Sequence, residues 1–540
     1  MTQRNRTDRH HGEGRHHRTG AAAGGLAAAL TALALLAGGC TGATGGVRGT
    51  PGSAGLRDPY FPKLGNGGYD VSHYALTLGY DPATGRLAGT AEITARATQD
   101  LSAFNLDLAG LTVERASVDD APAAVNRAGN ELTLRPREEI PDGTEFRATV
   151  AYGGVPEPVT DADGSQEGWL RTGEGVVAVG EPTGSMTWFP GNHHPSDKAA
   201  YEITLTVPAG FEGLSNGVRT ARRAAADGRV TTEWRMAEPM ASYLATVAIG
   251  RYETTTATAT AGGADPTATA TSTAGGADPT ATATSTAGGA DPTATATSTA
   301  GGADPSATAT AGGAGTPAAG AVSVLTAADR SVAAATAPLR GEIPEILDRQ
   351  ARRFGPYPFS TAGAIVTTDG TLGYALETQT RPVFPAASFD RTTLVHELAH
   401  QWFGNSVTPA TWRDLWLNEG FATYAEWLYA EEYEHVPART HFERAFAQDA
   451  NWAFPPAAPP AAENLFDPPV YQRGAMVLHK LRETVGEERF GEILRGWPAK
   501  YRHANASTAD FTAYAESVAG RDLDALWDVW LYGDERPSRP

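Results

Sequence analysis

The most informative segment of the chain is "LVHELAHQWFGNSVTPATWRDLWLNEGFATYAEWLY", Leu394 to Tyr429. Its histidines His396 and His400 are four residues apart, so on a helix both imidazoles project from one face. This spacing suits two nitrogen ligands of one Zn²⁺, and Glu397 between them can reach a water on the metal. A catalytic zinc site has three protein ligands and one open position. We therefore predict one zinc ion per chain, with Glu419, on a second helix beside the first, as the third ligand.

A chance match is the alternative explanation for this motif. The chain has 13 histidines in 540 residues, and an ordinary amphipathic helix pair can contain histidines without binding a metal. An accidental H-E-x-x-H arises in roughly one or two per cent of such chains. The short motif is therefore weaker evidence than the complete set of two histidines and a distant glutamate.

Composition excludes one class of partner. The formal net charge is -19, whereas a protein that binds nucleic acid needs lysine and arginine patches for the phosphates. We therefore predict no nucleic-acid partner. The length of 540 residues allows two or three domains with a sizeable core.

The N-terminus has the pattern of a secretory signal. Residues 1–20 are polar with five arginines, residues 21–39 are an Ala/Leu/Gly run, and Cys40 follows. This resembles a bacterial lipoprotein signal, which predicts a signal peptide over 1–40, lipidation of Cys40 and anchoring to the outer face of the cell membrane. An uncleaved N-terminal membrane anchor and simple secretion are the alternatives. In each case the body of the protein lies outside the cytoplasm.

The remaining chain divides by its pattern. Residues 41–58 are rich in Gly, Thr and Ser and predict a flexible tether. From 59 to 250, short runs such as "HYALTLGY" alternate with the period of strands and are separated by turn signals. They predict an antiparallel β saddle or sandwich domain. Residues 251–535 are mostly helical in pattern and contain the histidine motif, so we predict an α+β fold.

A repeat interrupts the second domain. Residues 255–319 consist almost wholly of Ala, Thr, Gly, Pro, Asp and Ser, with "GGADP" recurring every 13 residues from Gly262. Such a segment has no aromatic or large aliphatic side chains to bury, so we predict a disordered insertion. Its flanks, "GRYETTT" and "GAVSVLT", have the pattern of strands. We therefore expect the insertion to extend from a hairpin loop.

The motif and its surroundings closely resemble the aminopeptidase-N-like family of gluzincin metallopeptidases. The family's approach "W…DLWLNEGFA" recurs from Trp412, and "VYQRGAMVLHKLR" at 470–482 is similar to its tyrosine segment, with Arg473 in place of Lys. "GEPTGSMTWFPGNHHP" at 180–195 and "GYALETQTRP" at 373–382 align with two further family segments. The resemblance implies a thermolysin-like, mainly helical catalytic domain. It also implies a two-domain bacterial lipoprotein form, without the family's usual C-terminal helical domain and with a more open cleft.

The resemblance implies roles for three further residues. Tyr471 would donate a hydrogen bond to the oxyanion, and Glu377 and Glu181 would bind the substrate's free α-ammonium. For Tyr471 the alternative is a core tyrosine at a helix start, and for each glutamate it is a solvated surface position. The departures Thr378 and Leu376 leave Glu377 as the clear match in its segment.

A threonine and a pair of adjacent histidines near these motifs lead to two further predictions. Thr423, one helical turn after Glu419, is a candidate for a hydrogen bond to a metal ligand, with plain helix packing as the alternative. His193 and His194 are adjacent, and adjacent strand residues point to opposite faces. We predict no joint metal site for them and place them at the cleft rim or surface.

The implied function is a zinc metalloaminopeptidase acting on peptides with free N-termini. In this chemistry Glu397 accepts a proton from water and passes it to the leaving amine. A zinc endopeptidase on the same scaffold and a non-catalytic binding lipoprotein are the alternatives. The endopeptidase would gain support if Glu377 and Glu181 lay far from the zinc ligands.

Overall fold

The computed structural model describes residues 47–161, 164–261, 321–370 and 372–538. The predicted signal peptide, Cys40 and most of the predicted repeat insertion lie outside the described residues. Within these described ranges, no helix is long and apolar enough to cross a membrane.

The first part of the described chain is built from strands. They are β1 (Thr50–Pro51), β2 (Tyr69–Asp81), β3 (Arg86–Ala97), β4 (Leu101–Asp107), β5 (Thr112–Val118), β6 (Ala121–Pro122), β7 (Ala124–Ala128), β8 (Glu131–Arg135), β9 (Glu145–Gly154), β10 (Val159–Thr160), β11 (Gln166–Arg171), β12 (Val176–Val179), β13 (Lys198–Val207), β14 (Glu212–Ser215), β15 (Val218–Ala224), β16 (Val230–Ala241), β17 (Val247–Gly250) and β18 (Tyr252–Ala259). The largest sheet has the order β15-β16-β13-β2-β3-β9-β5-β6, with β13 parallel to β2. Two smaller sheets have the orders β10-β11-β12-β17-β14 and β1-β4-β8-β7.

Alternation of side chains explains why these segments are strands. In β2, Tyr74, Leu76 and Leu78 are buried at every second position, as the period of two predicts. In the neighbouring β13, Ile203 and Leu205 are buried in the same way. All five side chains belong to one hydrophobic core, and burial of a side chain of this size contributes about 1.5–3 kcal/mol.

The predicted tether is wrong for residues 47–58. Strand β1 lies parallel to β4, and Gly52 N–H donates to Ala103 C=O at 2.9 Å. Asp58 is buried, and its carboxylate accepts a hydrogen bond from Trp412 N–H at 3.0 Å. The segment offers few apolar side chains, but its backbone groups find partners along a sheet edge. Composition alone does not reveal such pairing.

The second part of the described chain is mainly helical, so the fold is α+β. Its elements are β19 (Val322–Asp329), α1 (Ala333–Phe354), β20 (Thr361–Thr367), β21 (Val383–Pro385), α2 (Arg391–Ala399), β22 (Thr408–Pro409), α3 (Trp416–Tyr429), α4 (Ala438–Ala447), α5 (Gly474–Val485), α6 (Glu487–Lys500), β23 (Asn505–Ala506), α7 (Thr508–Ala519) and α8 (Asp524–Trp530). Strands β18 and β19 pair antiparallel with Ala259 opposite Val322, as predicted for the flanks of the insertion. Residues 255–259 belong to β18, so the predicted disorder is wrong for these five residues.

Helix α3 lies between α2 and α5 and positions the residues of the site. Helix α2 begins at an N-cap, where the Asp390 side chain accepts a hydrogen bond from Thr393 N–H at 3.0 Å. Helices α3 and α5 approach at Gly420 and Gly474. A Cβ at Gly420 would lie 2.9 Å from Gly474 Cα, so this approach requires glycine.

Candidate active site

The structure brings the three predicted metal ligands together. His396 lies on α2, His400 directly follows that helix with helical dihedral angles, and Glu419 lies in the first turn of α3. Glu419 Oε2 is 3.2 Å from His396 Nε2 and 3.5 Å from His400 Nε2. One ligand atom from each residue lies within 4.8 Å of the other two. This is the His₂Glu arrangement of a catalytic zinc site.

The outer edge of each imidazole is held by another group. His396 Nδ1 lies 2.6 Å from Glu426 Oε1, and His400 Nδ1 lies 3.1 Å from the Phe403 carbonyl oxygen. With Nδ1 occupied in this way, both Nε2 atoms face Glu419 and are available to a metal. The donor set and its outer partners therefore fit a single divalent cation.

Opposite charges at the site shift the pKa values of the ligands. Burial alone would raise the pKa of Glu419, but His400 and His396 lower it to about 2. Burial would lower the pKa of His400, but Glu419 and Glu377 raise it to about 9. The carboxylate is therefore anionic at neutral pH and provides the negative charge that attracts a cation.

The residue of α3 that contacts a metal ligand from outside is Glu426, which the sequence did not predict, and not the predicted Thr423. The Thr423 side chain is buried, and its hydroxyl has no hydrogen-bond partner among the described residues. The predicted hydrogen bond from Thr423 to a ligand is therefore wrong. Glu426, seven residues after Glu419, lies two helical turns further along the same face, and its longer side chain reaches His396. This seven-residue spacing from Glu419 is the feature of the sequence that indicates Glu426 as a partner of the ligands.

Glu397 is buried beside the ligands. Its carboxylate lies within 4.8 Å of ligand atoms of His400 and Glu377, and it lines the main cavity, whose volume is about 560 Å³. Burial raises the pKa of Glu397 to about 8, against the opposing effect of His396 and His400. Glu397 is therefore positioned next to the ligand set, and its raised pKa makes its carboxylate form a stronger base.

Tyr471 lines the same cavity, close to the ligand His396. It lies in a π-helical turn, Pro469–Arg473, that leads into α5. Its ring is nearly parallel to that of His396, with centroids 6.2 Å apart. The turn is anchored by the buried guanidinium of Arg473, which donates to the carbonyl oxygens of Phe454 at 3.2 Å and Trp530 at 3.1 Å. Arg473 thus supports the turn from the side away from the cavity.

Glu181 and Glu377 lie beside Glu419 and are not surface residues. Their exposed fractions are 5% and 2%, and ligand atoms of all three glutamates lie within 4.8 Å of one another. One carboxylate oxygen of Glu181 and one of Glu377 have no hydrogen-bond partner among the described residues. Burial and the neighbouring carboxylates, Glu377 first, raise the pKa of Glu181.

Two elements hold these glutamates in place. Glu377 C=O accepts hydrogen bonds from the side-chain amides of Asn405 at 2.7 Å and Gln401 at 3.2 Å. Two residues after Glu181, Thr183 donates from its backbone N–H and its hydroxyl to the buried carboxylate of Glu167, at 2.9 and 2.6 Å. Hydrogen bonds to buried side chains therefore hold both segments in place.

The adjacent histidines are not at the cleft rim. His193 and His194 are 3% and 4% exposed and lie in a loop after Pro190. His193 Nε2 is 3.0 Å from the Phe189 carbonyl oxygen, and His194 Nε2 is 3.3 Å from Asp58 Oδ2. The predicted surface position is therefore wrong, because each ring has its own partner in the interior.

Comparison with known proteins identifies the family. The Peptidase M1 N-terminal domain model matches residues 70–244 and the Peptidase family M1 domain model matches residues 386–530, which together are more than half of the chain. The chain belongs to peptidase family M1. This M1 peptidase is 34% identical over 170 residues to Aminopeptidase N of Lactococcus lactis subsp. lactis, covering 29% of this chain and 20% of that protein. It is 36% identical over 162 residues to Aminopeptidase N of Mus musculus, covering 26% and 17%.

The chain spans about a fifth of the length of those curated relatives. Solved structures match over a greater length. An M1 zinc metallopeptidase from Deinococcus radiodurans, solved bound to Tyr-Ser-Ala substrate, matches 90% of this chain and 99% of its own, with 27% identity and a TM-score of 0.74. The α+β fold predicted for this M1 peptidase is confirmed, and the family and these structures indicate Zn²⁺ as its cofactor.

Proposed function

We propose that this chain is an aminopeptidase that removes residues from the free N-termini of peptides. The observation that supports this most strongly is the pair Glu181 and Glu377, buried beside Glu419 with carboxylate oxygens that have no partner among the described residues. A buried anion without a partner is costly. A substrate α-ammonium supplies the missing hydrogen-bond donors and the opposite charge.

Two residues would act on the peptide bond. Bound by His396, His400 and Glu419, Zn²⁺ supplies Lewis-acid polarisation of the scissile carbonyl and makes water more acidic. Glu397 accepts the proton of the attacking water and passes it to the leaving amine. The Tyr471 hydroxyl, in the lining of the same cavity, donates a hydrogen bond to the oxygen that becomes negative.

The carboxylate pair also separates this proposal from the endopeptidase alternative. An endopeptidase must admit uncharged chain on both sides of the scissile bond. Here that chain would bury two carboxylates, Glu181 and Glu377, without a counter-charge. Their closeness to Glu419 therefore favours removal of single N-terminal residues.

A pair of substrates tests the proposal. The zinc-loaded protein is given Leu-p-nitroanilide and the same compound with its amine acetylated, and a Glu397→Gln variant is the blank. We expect turnover of the free amine only, and none in the variant, which retains zinc. Turnover of both compounds would instead indicate an endopeptidase. Turnover of neither, with zinc bound, would indicate a non-catalytic protein.

We also propose that the protein is an extracytoplasmic lipoprotein, with residues 59–250 and 251–535 as its two domains outside the membrane. The support is the sequence pattern that ends at Cys40. Growth with labelled fatty acid is expected to label the wild-type chain and not a Cys40→Ser variant. Equal labelling of the two chains would contradict the proposal.

A further inference from the structure

A second groove adjoins the main cavity. It has a volume of about 330 Å³, and its lining includes Glu426, His441, Arg444 and Gln472. Glu426 lines both the groove and the main cavity, and Gln472 directly follows Tyr471, which lines the main cavity. The two spaces are therefore neighbours that share one wall.

The groove and the pair Glu181 and Glu377 adjoin glutamates that contact different edges of the His396 ring. Glu426 contacts Nδ1 of His396, whereas Glu419 contacts Nε2 on the other edge of that ring. Glu181 and Glu377 cluster with Glu419. A peptide whose ammonium is at Glu181 and Glu377, and whose chain continues along the cavity to Glu426, would reach the groove.

The groove differs from the main cavity in charge. Carboxylates line the main cavity, and no lysine or arginine is among its described lining residues. Arg444 is the only lysine or arginine among the described residues that line either space. Its side chain is exposed and forms no hydrogen bond or ion pair with any described residue. Next to it on α4, His441 stacks on Trp427, with ring centroids 6.1 Å apart.

We propose that this groove continues the substrate cleft on the leaving-group side and that Arg444 binds a carboxylate of the peptide. A guanidinium suits a carboxylate because it offers two parallel N–H donors. The carboxylate is either the C-terminus of a short peptide or the side chain of an acidic residue after the scissile bond. The inference rests on the proposed aminopeptidase function and adds a preference for short or acidic peptides.

Matched peptides test this inference. The first pair is Leu-Gly-Gly and Leu-Gly-Gly-amide, and the second is Leu-Glu-Gly-amide and Leu-Gln-Gly-amide. The values of kcat/KM are measured for the wild type and for Arg444→Gln. The matched control is Arg137→Gln, because Arg137 is another exposed arginine without an ion pair to the described residues and lines neither space.

We expect the wild type and Arg137→Gln to prefer the carboxylate member of at least one pair by about three- to tenfold, the range for a partly solvated ion pair. Arg444→Gln is expected to abolish that preference, and high salt to reduce it. The pair that responds identifies the source of the carboxylate. Equal preferences in wild type and Arg444→Gln, or no preference in the wild type, would overturn the inference. Failure of the proposed function is recognised separately, because the wild type would then not turn over Leu-p-nitroanilide.

Discussion

Replacing Glu426 with Gln tests how a metal ligand is held in place. Glu426 Oε1 lies 2.6 Å from His396 Nδ1, and this contact leaves Nε2 facing Glu419. Glutamine has nearly the same shape as glutamate but carries no charge. The contact can therefore persist as a neutral hydrogen bond, but His396 loses the anion that makes its ring a stronger ligand.

The size of the effect follows from the burial of the pair. A hydrogen bond to a charged group contributes about 1.5–3 kcal/mol. The Glu426 side chain is 23% exposed and that of His396 is 12% exposed, so solvent screens part of the interaction. We therefore take the lower end, about 1.5–2 kcal/mol, which corresponds to roughly 10–30-fold weaker zinc binding.

Competition with a chromophoric chelator at pH 7 measures this change as the Kd for Zn²⁺. The control is Glu432→Gln, since Glu432 pairs with Arg353 at 3.2 Å and lines neither the main cavity nor the groove. We expect the control to bind zinc like the wild type. An unchanged Kd in Glu426→Gln, or equal weakening in both variants, would show that Glu426 does not strengthen His396 as a ligand.

Three further changes have expected outcomes. Tyr471→Phe is expected to lower kcat about 100- to 1,000-fold without changing the zinc Kd; unchanged kcat would exclude it as the oxyanion donor. Gly420→Ala is expected to lower the free energy of unfolding by about 1–3 kcal/mol, because its Cβ would lie 2.9 Å from Gly474 Cα. The control Gly341→Ala has open space around its Cβ and is expected to cost no stability. Equal denaturant midpoints for the two variants would contradict this prediction. Burial lowers the pKa of His193 to about 4, so between pH 6.5 and 4 the unfolded chain takes up a proton that the folded chain excludes. The free energy of unfolding should therefore fall by about 3 kcal/mol over that window as pH decreases. His193→Phe should lack this pH-dependent loss. Identical pH profiles of stability for the wild type and the variant would show that His193 does not cause such a loss.

The local pattern of the sequence predicted much of the site. Four-residue spacing puts His396 and His400 on one helical face, and the distance along the chain leaves room for a turn back to Glu419 on α3. Alternation predicted the strands in the same way, because the side-chain period of two depends only on neighbouring residues. Glu181 and Glu377 needed the family resemblance, since neither segment has a periodicity that places it beside the ligands.

The predictions for Thr423 and for residues 47–58 are wrong because both depend on contacts between distant segments of the chain. Thr423 and Glu426 both follow Glu419 at helical spacing, and which of them contacts His396 depends on how α3 packs against α2. Residues 47–58 were predicted as a tether because their composition lacks core-forming side chains. Their pairing with β4 depends on backbone groups, which composition does not report.

The zinc content of the purified protein tests whether His396, His400 and Glu419 bind the metal. We expect one Zn²⁺ per folded wild-type chain and a substantial loss of zinc in a folded Glu419→Gln variant, because Glu419 lies 3.2 and 3.5 Å from the Nε2 atoms of the two histidines. Metal analysis of both proteins by mass spectrometry, at matched concentration and after dialysis, provides the measurement. Folded wild-type protein without stoichiometric zinc, or a Glu419→Gln variant that retains zinc as tightly as the wild type, would rule out this zinc site.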